Sequence, residues 1–199
     1  MFYSRLFYRL FFVSAAFTVL CSCTPSLINA AKEGNISALK IRIKEGINPN
    51  SRPAHIALIK AVQENQGEAI SILLAAGVSP DISTDYNMYD LNGPNPVLID
   101  AARYGCENAL ENLLKGGANI EIRGIHNQTA LMQAVMSGHV NCAKILLRFG
   151  ANPNAEIIMV NSINGVVLNK RKRTVRDFDH STEMDIVLEA AGAKRGGEW

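Results

Sequence analysis

The side chains able to do covalent or metal chemistry are few: Cys21, Cys23, Cys106 and Cys142, with His55, His126, His139 and His180. A metal site needs ligands that one local backbone geometry can bring together, such as two histidines four apart on a helix or a close pair of cysteines. The histidines follow neither pattern, so no metal and no other cofactor is expected. A Gly-x-Ser-x-Gly elbow, a phosphate loop and a dinucleotide fingerprint are also lacking. No catalytic residue is assigned, and the chain is not expected to be an enzyme. What remains is the stretch LCSCTPSLINAAKEG, where an apolar run ends in two thiols and a helical pattern begins within four residues of the second.

That run follows Arg5 and Arg9 and is uncharged from Leu10 to Cys23, the layout of a secretory signal. A membrane-spanning helix needs about 20 predominantly apolar residues, and this run is shorter, so an uncleaved anchor is the runner-up reading. Val19-Leu20-Cys21-Ser22-Cys23 resembles the lipobox of bacterial lipoproteins. The resemblance implies removal of a signal peptide of residues 1–22, a diacylglyceryl group on Cys23 and acylation of the new amino terminus. Thr24, where an aspartate would imply the inner membrane, implies anchoring at the outer membrane, facing the periplasm. Two or more acyl chains would hold stably, since each buried methylene contributes about 0.8 kcal/mol. Residues 23–26 then comprise the lipidated cysteine and a short tether, whose three residues after Cys23 span roughly 10 Å when extended. The first helix should lie against the headgroups.

Losing Arg5 and Arg9 leaves 18 basic residues of the original 20 against 18 acidic ones, a neutral mature chain. A neutral body generates no long-range field to gather nucleic acid, so that partner class is set aside.

The remainder repeats itself. GCENALENLLKGGANIE from Gly105 and GHVNCAKILLRFGANPN from Gly138 align their glycines, paired leucines and Gly-Ala-Asn endings; NQGEAISILLAAGVSPD from Asn65 and GNISALKIRIKEGINPN from Gly34 are further copies. A shorter helical piece precedes each: Leu27 to Lys32, Leu58 to Gln63, Leu98 to Arg103 and Leu131 to Met136. With a period near 33 and Thr129-Ala130-Leu131-Met132-Gln133-Ala134 close to the motif T-P-L-H-x-A, the chain resembles the ankyrin repeat family. The fold expected is an all-α repeat solenoid of stacked helix pairs over residues 27–194, about four repeats and a C-terminal cap, followed by a tail, 195–199. Alanines let paired helices approach, and the leucine pair fills the space between repeats; one unit cannot bury both faces alone. Arg42 stands where other copies have the first leucine of the pair, which marks an N-terminal cap. Ser181 to Lys194 reads as the C-terminal cap, copying either a first or a second helix.

Cys142 is expected on a buried face as an inert small hydrophobe. Cys106 is expected at a helix start, too far from Cys142 for a disulfide, since packed helices lie roughly 10 Å apart. His139 should have a structural role.

Two insertions break the period, 83–96 and 156–180, and in repeat proteins insertions map to loops, often on the binding face. Tyr86, Met88 and Tyr89 in the first either contact a partner, as aromatic groups at interfaces do, or fold back over their own repeat. The second has apolar, β-branched runs on either side of Asn164-Gly165, a hairpin signal that predicts strands near Ile157 to Ile163 and Val166 to Lys172. Lys170, Arg171, Lys172 and Arg173 form the one dense charge run: a contact for anionic lipid heads or an acidic partner, or a strand edge protected by charge.

The ankyrin resemblance implies a protein that binds another protein. Small ankyrin lipoproteins of this layout resemble periplasmic protectors made beside toxic lipases, which implies an immunity protein; an envelope adaptor tethering an enzyme or secretion component is the competing class. The chain is expected to act as a monomer.

Overall fold

Alternation of short alanine-rich and leucine-rich amphipathic segments, each closed by a residue that tolerates positive φ, becomes a stack of antiparallel helix pairs in the computed structural model. It describes residues 25–84, 94–125, 127–163, 166–178 and 181–195, with side chains for all but 158–171 of these. Cys21, Cys23, Tyr86, Met88, Tyr89, His126 and His180 lie outside the described residues, as do the side chains of Lys170 and Arg171.

The first pair is α1 (Leu27–Lys32) and α2 (Ile36–Lys44), the second α3 (Arg52–Gln63) and α4 (Gly67–Ala75). The third is α5 (Val97–Arg103) and α6 (Glu107–Lys115), the fourth α7 (Ala130–Met136) and α8 (Val140–Arg148). First helices pack on first helices and second on second, giving two layers that run the length of the stack. Between the layers lie the fully buried side chains Leu39, Ile70, Leu73, Leu110, Leu113 and Leu146, with Ala30, Ala57, Ala61, Ala101 and Ala134 where helices meet closely. No helix among the described residues is long and apolar enough to cross a membrane.

α3 starts six residues ahead of the Leu58 expected from periodicity, because Pro53 in its first turn has its φ already set for a helix and lacks only an N–H that would have no partner there. Second helices end in one repeated device. Gly77, Gly117, Gly150 and Gly192 take positive φ, and the next residue's N–H reaches back to a carbonyl five residues earlier, as in Val78 to Leu73 and Ala193 to Leu188.

Gly192 settles the C-terminal cap. α9 (Thr182–Ala190) ends as α4, α6 and α8 do, and it packs on α8, so it is a second helix. The first helix of this fifth unit has shrunk to one 3-10 turn, Val175–Asp177, which packs on α7 and opens with a reciprocal cap between Thr174 and Asp177. Thr174 Oγ also donates to the Lys194 carbonyl (2.5 Å), tying the start of the unit to its end.

Ahead of that turn, β1 (Ile157–Ile163) and β2 (Val166–Arg173) form an antiparallel hairpin, as the Asn-Gly signal predicts. Asn161 pairs with Asn169 and Ser162 with Val167, so Leu168 is the extra residue of a bulge, which sharpens local twist. The hairpin is rooted by Ile157 and Val175, both buried, and by an ion pair from Lys172 to Glu156 (2.9 Å).

Candidate functional site

Each link from a second helix to the following first helix forms a finger, and the fingers stand side by side because one hydrogen-bond pattern recurs. The residue two after each terminal glycine folds its side chain onto the N–H two residues further on: Asn48 to Asn50, Ser79 to Asp81, Asn119 to Glu121, Asn152 to Asn154. The capped residue then accepts from the next repeat. Asp81 takes the Asn119 N–H (2.8 Å), Glu121 the Asn152 N–H (2.7 Å) and Asn154 the Lys194 N–H (2.7 Å). The ladder stops at Lys194, whose side chain has no acceptor to offer.

The roots of both insertions therefore fall in one row, on fingers two and four, with a short finger between them. The neck of the first is closed by a bridge between Ser83 and Pro96, with Thr84 N–H donating to the Asn95 carbonyl (2.8 Å). Buried Asn95 extends its Oδ1 to the Ile125 N–H on the short finger (3.1 Å), and a Cβ on Gly124 would strike that oxygen. On the other side Arg123 donates to the Glu156 carbonyl at the root of the hairpin (3.1 Å).

Three large apolar side chains are exposed on the short finger and at the ends of the two first helices that pack beside each other. Tyr104, 57% exposed, caps the end of α5; Met136, 44% exposed, ends the adjacent α7; Ile125, 53% exposed, stands on the short finger. Gln128 of that finger donates to Met136 Sδ (3.3 Å), fixing finger and helix end together. Beside Tyr104, Arg103 Nη1 is buried without a hydrogen-bond partner, a donor that an incoming carbonyl or carboxylate would satisfy only after the side chain is uncovered. Rigid apolar anchors with one unsatisfied donor are suited to binding a protein surface.

Neither Tyr104, Ile125 nor Met136 stands out by sequence pattern. Their signal was variation between copies: the two residues before each repeat's first glycine position read Lys32-Glu33, Gln63-Glu64, Arg103-Tyr104 and Met136-Ser137. Packing fixes neighbouring positions and leaves these free.

Of the basic run, Lys172 pairs with Glu156, and the Arg173 guanidinium lies 5.6 Å from the centre of the Phe178 ring. Cys106 and Cys142 are both buried and reduced. Burial pushes the Cys106 thiol up; burial, with Glu107 and Cys106 adding, pushes Cys142 up to about 12, so both stay protonated and unreactive. His139 Nε2 lies 2.9 Å from the Arg103 carbonyl, which can only accept, so the ring proton is on Nε2. Gly105 has φ +70°, and a Cβ there would come 2.7 Å from the His139 ring. The histidine is thus a staple between the third and fourth repeats. On the layer of second helices, Glu111 is held below the usual carboxylate range, foremost by its hydrogen bond from Lys115, with Arg148 of the next repeat also contributing. Among the described residues no cluster of His, Cys, Asp and Glu could hold a metal ion.

The profile described as "Ankyrin repeats (3 copies)" matches residues 27–124 and 58–157. An ankyrin repeat-containing protein of Treponema pallidum is 30% identical over 133 residues, 66% of this chain and 43% of that protein. The potassium channel AKT2/3 of Arabidopsis thaliana is 36% identical over 110 residues, 54% of this chain and 13% of the channel. Ankyrin repeat and SOCS box protein 2 of Bos taurus is 33% identical over 102 residues, 49% of this chain and 14% of that protein. The chain thus spans less than half the length of these curated relatives. What it shares with them is the stack of helix pairs, a family generally of non-enzymatic scaffolds for protein–protein interaction, and the chain belongs to the ankyrin repeat family.

Proposed function

We propose that the mature chain is a lipoprotein, fastened through Cys23 to the outer membrane and facing the periplasm, where it holds another protein against its row of fingers. The partner proposed is a toxin that acts in the periplasm, such as a secreted phospholipase effector, which makes the chain an immunity protein. The observation that carries the binding site is the exposure of Tyr104, Ile125 and Met136 on the elements between the roots of the two insertions, side chains that the repeat's own packing does not require. The lipobox-like Val19 to Cys23 supports the anchor, and anchoring would set the inhibitor where such a toxin meets phospholipid.

Deleting the gene in a strain whose kin carry an active toxin gene beside it tests the reading. Loss of survival, restored by the wild-type protein and not by a Tyr104→Ser, Met136→Ser double variant, is the expected result. Unchanged survival beside a live toxin gene sinks immunity, and recovery of an enzyme or secretion component with the native protein would then assign it as an envelope adaptor.

A further inference from the structure

The second helix of the first repeat lacks contacts that its later counterparts make with a preceding repeat. In the third and fourth repeats, residues at three positions of the second helix reach back to the preceding repeat: Asn112 takes a hydrogen bond from Ser71 (2.6 Å), Asn141 donates to Glu107 (2.8 Å) and Arg148 pairs with Glu111 (3.1 Å). Their counterparts in the first repeat are Ile41, Ser37 and Lys44, all exposed, with Ile41 at 46%. Arg42 stands where the later copies have the fully buried Leu73, Leu113 and Leu146, and its Nε donates to the Pro25 carbonyl (3.1 Å) while Nη1 pairs with Glu45 (3.1 Å). Ser26 caps α1 by accepting from the Asn29 N–H (3.2 Å). The backbone is therefore held from Pro25 onward, so two residues of the tether expected from the sequence, Pro25 and Ser26, belong to the stack.

We infer that this end face rests on the lipid surface, with Ile41 at the level of the headgroups and Lys44 against anionic lipid, and that Arg42 is the clasp fixing the stack's orientation there. The inference depends on the proposed lipid at Cys23. Its other support is charge: residues 25–50 hold four basic side chains and two acidic ones, whereas residues 51–199 hold 14 basic and 16 acidic, so the end nearest Cys23 is the positive one. Anionic lipid attracts such a juxtamembrane patch, and an exposed aliphatic side chain among lysines is the composition of an interfacial surface.

The test uses the lipidated protein in vesicles of phosphatidylethanolamine and phosphatidylglycerol that carry a nitroxide on the headgroup. A fluorophore is attached through Ile41→Cys or, at the other end of the stack, Ile186→Cys; buried Cys106 and Cys142 stay unlabelled. With helices spaced about 10 Å apart, five stacked units place residue 186 roughly 40 Å from the first repeat. Strong quenching at 41 and none at 186 is expected, and adding Arg42→Gln should reduce quenching at 41 while the protein still floats with the vesicles. Flotation with equal or absent quenching at both positions overturns the inference and leaves the anchor standing. A protein that does not float, and whose membrane fraction in cells is unaltered by Cys23→Ser, overturns the anchor and the inference with it. Free Arg42→Gln protein showing wild-type helicity by circular dichroism assigns the lost quenching to the clasp; unchanged quenching in that variant overturns the clasp.

Discussion

Replacing Leu113 by alanine tests the seam that makes five units one structure. Leu113 is fully buried in α6, the second helix of the central unit, which packs against both α4 and α8. The substitution removes three buried carbons, about 2.4 kcal/mol at about 0.8 kcal/mol each. Neighbours on both sides are held by their own packing, so the space closes only in part, and the remaining cavity brings the cost to about 3.5–4.5 kcal/mol. That is a large part of the roughly 5–15 kcal/mol available to a domain. Leu188→Ala removes the same atoms from α9, which packs on α8 and on the 3-10 turn of its own unit and so meets a neighbouring unit on one side. Stability in a solenoid is nearly a sum of unit and nearest-neighbour terms, so the peripheral loss should fray the last unit while the central loss uncouples the two halves. Urea unfolding followed by circular dichroism gives the free energies, and amide hydrogen exchange locates them. Expected are faster exchange confined to 174–195 for Leu188→Ala and reduced protection on both sides of α6 for Leu113→Ala. A loss under about 1 kcal/mol at Leu113, or the same exchange pattern in both variants, would refute the reasoning.

Changing Tyr104, Ile125 and Met136 to serine should leave the urea midpoint within the scatter of surface substitutions, about 0.5 kcal/mol each, while abolishing capture of the partner; calorimetric titration and unfolding curves check the two halves. Asp81→Ala should cost about 1 kcal/mol by leaving the Asn119 N–H without its acceptor, read as a lower urea midpoint with unchanged slope. Cys142 has a folded pKa near 12, above the ordinary 9.0, so its contribution to stability is complete below pH 9 and is lost as pH rises toward 12. Cys142→Ala should flatten the decline in thermal midpoint over that window. At pH 8 neither Cys106 nor Cys142 should react with a thiol reagent faster than the protein opens, and rapid labelling of the native state would contradict their burial.

Periodicity carried most of the fold because the same physical demands recur in each unit. Leucines at Leu73, Leu113 and Leu146 and glycines at Gly77, Gly117 and Gly150 answer the same contacts and the same backbone turn. The hairpin was legible for a local reason, Asn-Gly between β-branched runs, and β2 ends one residue beyond the expected Lys172. The fifth unit was not, because Thr174 to Asp177 keeps the cap of a first helix without its length, so no apolar period announces it. Cys106 stands at the start of a helix, as its place in the repeat predicts, and the packing around it buries the thiol. The candidate site was hidden for the complementary reason: Tyr104 and Met136 occupy positions that the stack does not specify. Nor could composition show that Arg42, besides replacing a leucine, grips Pro25; that follows from the turn of chain ahead of α1.

The most direct test of the central claim, that the finger row holds a protein in the envelope, is photocrosslinking in living cells from single positions. A photoreactive side chain at Ile125, on the short finger, should give one discrete protein adduct in the membrane fraction, and one at Ser71, on the layer of second helices, should give none. An Ile125 probe that yields no adduct in cells where the protein protects, or an adduct formed equally from Ser71, would contradict the account.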